Sequence, residues 1–156
     1  MMLTSTQIGE LAAQFFIAGV GTLCFAILFA CPRKSLFFCG LVGAVGWFVY
    51  ELAVMLGADS AAASLLAVIP LTLLTRVFAI TLKMPVTVFL LSGIFPLVPG
   101  AGIYYTAYYF LQGEQELFAS KGGETFKVAL ALALGIALIC SLPLPGGHEK
   151  IKRPSP

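Results

Sequence analysis

Of 156 residues, 60% are hydrophobic and only 10% are charged, whereas a soluble domain carries about one-quarter charged residues. A water-soluble fold of this length cannot hide so much apolar side chain, so most of the surface must face lipid or other apolar helices. The net charge is only +2, and its basic residues are few and split among loops, which excludes a nucleic-acid-binding face.

The first ten residues contain no Lys or Arg. A cleavable leader needs a basic start, so the first apolar run, Leu11 to Ala30, is expected to stay as a membrane helix. Pro32 stops it, and Arg33 and Lys34 meet water. A second span is predicted from Leu36 to Gly57, with Trp47, Tyr50 and Glu51 inside it. A third runs from Ser60 to Ile80 and holds Pro70 and Arg76. A fourth runs from Pro85 to Leu111 and is broken at Pro96–Gly100. A polar loop is expected over Gln112–Glu124. A fifth span then runs from Thr125 to Leu142, where Pro143 and Pro145 end it.

These elements predict an all-α integral membrane protein of about five transmembrane helices. One five-span domain would occupy residues 1–145, followed by a short basic tail at 146–156. Five spans of about 20 residues leave no room for a soluble catalytic domain. Arg33, Lys34, Arg76, Lys83, Lys150, Lys152 and Arg153 would share one side of the membrane, against Lys121 and Lys127 on the other. Positive charge favours the cytoplasmic side. The N-terminus is therefore expected outside and the C-terminus in the cytoplasm of a multi-pass cell-membrane protein.

Enzyme signals are absent. There is no P-loop, no Ser-His-Asp set and no metal motif, and the single histidine, His148, makes no metal site alone. Gly19-Val20-Gly21 lies inside an apolar run, without the strand and helix that a nucleotide fingerprint needs. Cys24, Cys31, Cys39 and Cys140 form no CxxC pair and are expected to pack as small apolar residues. No cofactor or metal is expected.

The chemistry-bearing stretch is Phe95-Pro-Leu-Val-Pro-Gly-Ala-Gly-Ile-Tyr-Tyr. Pro96 and Pro99 each remove a backbone donor and clash with the preceding turn, and Gly100 and Gly102 weaken the helix further. Broken backbone at bilayer depth is tolerated only beside protein or a water-filled cavity, and transporters use such breaks as binding sites. A helix restarting after Pro99 would aim free N–H groups and a positive dipole end at an anion such as a carboxylate. The competing reading is a proline kink shaped by packing alone. Tyr104 follows one turn later and could line such a site, while Tyr108 and Tyr109 suit an interfacial aromatic belt.

Two charges fall within spans. Glu51 is an intramembrane carboxylate, which by default suggests function; it would carry a coupling proton or bridge to another helix. Arg76 would contact a substrate anion or a gate, or extend its long stem to the headgroups. Gly40, Gly43 and Gly46 on the second span, and Ala131 and Gly135 on the fifth, let helices approach closely. They suit packing within the chain or against another copy.

Three stretches carry a family resemblance: Gly43-Ala-Val-Gly-Trp-Phe-Val-Tyr-Glu-Leu, Lys83-Met-Pro-Val-Thr-Val-Phe, and Pro96-Leu-Val-Pro-Gly-Ala-Gly-Ile-Tyr. Together they resemble the small five-span half of the threonine/serine exporter (ThrE) family, over about Leu36 to Leu142. The most specific element is Pro96-x-x-Pro99-Gly100-x-x-x-Tyr104, and Arg76 falls where the family tends to carry a basic residue. The resemblance implies export of small carboxylates, either threonine and serine or a dicarboxylate such as succinate. It further implies dependence on the proton gradient and work alongside a larger ThrE-type membrane subunit. The rival expectation is a scaffold subunit that stabilises a membrane complex without transporting anything. A polar cavity at the break would favour transport, and a dry, packed kink would favour the scaffold.

Overall fold

The computed structural model describes residues 5–143; the basic tail, including His148, lies outside them. Six α-helices follow in order: α1 Ser5–Leu28, α2 Leu36–Met55, α3 Ser60–Leu82, α4 Val86–Gly93, α5 Gly100–Gln112 and α6 Gln115–Ser141. Four of them, α1, α2, α3 and α6, are long and apolar enough to cross a membrane. The bent pair, in which the segment Val86–Leu97 and α5 meet at 59°, is the candidate fifth crossing.

Helix α2 is the hub and packs against α1, α3 and α4; α3 in turn packs against α4 and α6. Small residues make the closest approach possible. A methyl group added to Gly43 would overlap the Thr22 side chain of α1, and one on Gly135 would overlap Val68 of α3. In lipid, where apolar burial gives helices little reason to associate, such contact supplies much of the packing energy. The stripe predicted on the second span thus divides its work, with Gly43 on α1 and Gly46 against Leu71 of α3.

The main apolar cluster joins Val42, Val68, Leu71, Leu97, Val128 and Leu132 at the centre of the bundle. A second cluster, at the end holding the α1–α2 and α3–α4 turns, contains Ala26, Cys39, Ala79 and Phe89. Leu97 belongs to the short 3-10 turn Phe95–Leu97 between α4 and α5. Its neighbour Phe95 packs on Phe25 of α1, with ring centroids 3.9 Å apart. The break is therefore held by side chains on both sides, beyond the loss of a donor at each proline.

The expected polar loop over Gln112–Glu124 is much shorter in the structure. Gly113 (φ 77°) takes the left-handed turn that ends α5, and α6 begins at Gln115. Three contacts keep this polar stretch helical despite Gly122 and Gly123, each of which weakens a helix by about 1 kcal/mol. Phe118 packs on Phe110 of α5. Gly122 lets Thr106 of α5 approach closely. Lys121 pairs with Glu124 one turn on, at 2.9 Å. The partner that makes this segment a helix is α5, which composition alone does not reveal.

A candidate binding cavity at the broken helix

The break borders a cavity of about 520 Å³. It opens at the end of the bundle that holds the α2–α3 and α5–α6 turns. One wall is the backbone of Pro96 to Gly102. Opposite stand Trp47 and Tyr50 of α2, stacked 5.2 Å apart, with Ser60 and Ser64 of α3 beside them. Tyr105 and Tyr109 of α5 and the Lys121–Glu124 pair of α6 complete the rim. The floor is apolar: Leu97 and Val128 face the cavity and belong to the central cluster.

The predicted restart of the helix is present. Gly100 donates to Val98 O at 2.7 Å and Ile103 donates to Pro99 O at 3.0 Å. Between them, the amides of Ala101 and Gly102 form no backbone hydrogen bond among the described residues. They belong to the first turn of α5, whose dipole end favours negative charge. Gly102 also sets the position of α5, because a methyl there would overlap the Thr125 hydroxyl of α6.

Chemically, the cavity offers two unpaired amides for an anion, aromatic faces and a carboxylate for a cation, and a rim ion pair that can exchange partners. Trp47 is fixed in place by its indole N–H, which donates to Gln14 Oε1 of α1 at 3.1 Å. A larger groove of about 870 Å³ lies on the other face of α5, walled by residues such as Ile103, Phe110 and Phe126. It is almost wholly apolar, and the hydroxyls of Thr106 and Thr125 on its lining are bonded to carbonyls of their own helices, so it is less suited to orienting a polar ligand.

Of the residues singled out by sequence, Pro96, Pro99 and Gly100 lie together on the cavity wall. Tyr104 does not: it points away and is 63% exposed, stacked on Tyr108. Tyr105 and Tyr109, one residue on in each case, face the cavity instead. Glu51 is half-buried in the last turns of α2, next in sequence to the cavity residue Tyr50. Its carboxylate forms no hydrogen bond or ion pair among the described residues.

Arg76 lies far from the cavity, about 18 Å along α3 from Ser64 at 1.5 Å per residue. Its guanidinium donates to the carbonyls of Ile139 and Leu142 at the end of α6. The Ile139 carbonyl also accepts from the Leu142 N–H at 3.3 Å, so the guanidinium shares it, and a cation at a helix C-terminus complements the dipole. Sequence reading weighed snorkelling and substrate contact for Arg76 but missed this capping role. Lys121 and Glu124 were missed as cavity residues because they were assigned to a loop.

A model of the threonine/serine exporter (ThrE) family matches residues 14–142. No curated protein and no solved structure matches the chain.

Proposed function

Because the chain belongs to the threonine/serine exporter family, we propose that it is a subunit of a proton-driven exporter of small carboxylates, working with a larger membrane subunit. It is a multi-pass membrane protein, and its cavity is the substrate site in this reading. The observation that carries the proposal is a largely apolar cavity at the break in the membrane helix that gathers a few polar groups: the Lys121–Glu124 pair, Ser60, Ser64 and the first-turn amides of α5. A scaffold has no use for unpaired amides beside a cavity, whereas a carrier needs groups that release their ligand again.

The amides of Ala101 and Gly102 receive the substrate carboxylate. A substrate ammonium, as in threonine or serine, meets Glu124 and the faces of Trp47 and Tyr50. Glu51 carries the coupling proton: it is a carboxylate in an apolar span, within one turn of the cavity wall. Arg76 acts as a positioning residue that anchors α6. In this reading the N-terminus lies outside, as the bias of Lys and Arg favours, and the cavity mouth faces outward.

Trp47 is the sole tryptophan and lines the cavity, so its fluorescence reports occupancy. Threonine, serine and succinate are titrated against the purified wild-type protein and the Pro96→Ala/Pro99→Ala variant. Each proline costs about 3 kcal/mol in a helix interior, so the variant favours a continuous helix with no spare amides. The wild type is expected to respond and the variant to insert normally but respond at least tenfold more weakly. An equal response from both would show that the break is not the binding site.

A further inference from the structure

Six hydroxyl side chains are buried among the described residues: Thr22, Ser35, Ser64, Thr72, Thr75 and Ser92. Four of them donate to a carbonyl three or four residues back, which is how a helix ordinarily absorbs a buried hydroxyl. Thr72 and Thr75 do not. Both are fully buried, and neither Oγ1 has a hydrogen-bond partner among the described residues. An unpaired buried hydroxyl is costly, and two on one helix, three residues apart and so on neighbouring faces, call for a reason.

Their place along α3 supplies one. Ser60 and Ser64 line the cavity. One turn further on, Val68 and Leu71 join Val42, Leu97 and Leu132 in the apolar cluster that floors it. Thr72 and Thr75 come next, about 12 and 16 Å beyond Ser64 along the axis. They sit on the buried side of α3, which packs against α2, α4 and α6. The order along one helix is therefore hydroxyls, apolar barrier, hydroxyls. Leu97, part of the barrier, sits in the break itself, where the chain has least regular hydrogen bonding to hold it.

We infer that Thr72 and Thr75 form a second polar station for the transported solute, closed off from the cavity in this state by the Val68–Leu71–Leu97 layer. The inference rests on the export reading of the cavity. In the closed state the hydroxyls are left unpaired. When Leu97 moves with the break, the barrier parts, and the two hydroxyls take hydrogen bonds from the solute or its water. The desolvation cost of the resting state is a bias toward opening.

The test separates binding, stability and translocation. Thr72→Val/Thr75→Val is compared with Thr72→Ser/Thr75→Ser, each variant being purified as the single chain for heat stability and Trp47 fluorescence and together with the partner subunit for efflux. Three quantities are measured: heat stability, the Trp47 fluorescence response to threonine, and threonine efflux from proteoliposomes. The Val pair keeps shape and removes only the unpaired hydroxyls, so it is expected to be at least as stable as the wild type. It should keep its Trp47 response and lose efflux at least tenfold, while the Ser pair recovers most of the efflux. Wild-type efflux from the Val pair would overturn the inference and make the hydroxyls passive packing atoms. A Val pair clearly less stable than the wild type would also overturn it, because the hydroxyls would then be holding the fold. Absence of both Trp47 response and efflux in the wild type would sink the export reading itself, and the second station with it.

Discussion

The guanidinium of Arg76 on α3 donates to the carbonyl of Ile139 on α6, tying the two helices together at the end of the bundle opposite the cavity. A second bond reaches Leu142. Hydrogen bonds involving a charged group contribute about 1.5–3 kcal/mol each, and no other described cation caps this helix end. Arg76→Met is expected to lower the melting temperature in detergent markedly, with Arg76→Lys intermediate because an ammonium lacks the fork that reaches both carbonyls. The Trp47 response of whatever protein remains folded should be unchanged. A stable Arg76→Met protein with no ligand response would return Arg76 to the substrate path.

Close contact between α1 and α2 makes a second prediction. Gly43→Ala would drive a methyl into Thr22, and overpacking of this kind costs about 1–3 kcal/mol. Thr22→Ala removes the colliding hydroxyl and methyl, so the double variant should recover part of the loss. Additive destabilisation in the double variant would show that the two residues do not share the contact.

For Glu51, the expected outcome follows from its isolation. With no ion pair or hydrogen bond to lose among the described residues, Glu51→Gln should leave thermal stability near wild type, while gradient-driven export falls and substrate exchange persists. Full proton coupling in a well-expressed Glu51→Gln protein would end its role as proton carrier.

Topology is checked by tags in the Gly113–Glu114 turn and at the C-terminus. The seven-to-two division of Lys and Arg predicts the turn outside and the C-terminus in the cytoplasm. Both tags on the same side would remove α6 as a crossing, and the reverse pattern would invert the protein. If the bent pair is one crossing, the five spans would set a homologous half joined to this one upside down relative to it, a common transporter plan.

By itself the sequence determined what depends on composition and chain direction. Long apolar runs cannot face water, so α1, α2, α3 and the apolar part of α6 were legible from hydropathy. Pro96 and Pro99, three residues apart and followed by Gly100, strongly disfavour a continuous helix, whereas the lone Pro70 stays inside α3; the break was therefore legible as well, together with the restart after Pro99. Tertiary structure decided everything that depends on which face meets which neighbour. Tyr104 and Tyr105 are adjacent in sequence and about 100° apart around the helix; only the docking of α5 on α6 turns Tyr105 to the cavity and Tyr104 away from it. The stretch 112–124 looks like a loop until Phe110 and Thr106 supply the surface that holds it helical. Arg76 reads as a free cation until the end of α6 comes within its reach. Thr72 and Thr75 look like ordinary helix-bonding hydroxyls; that they are buried without a partner is a property of the packed bundle, because desolvation depends on the neighbours that exclude water and no local pattern encodes those.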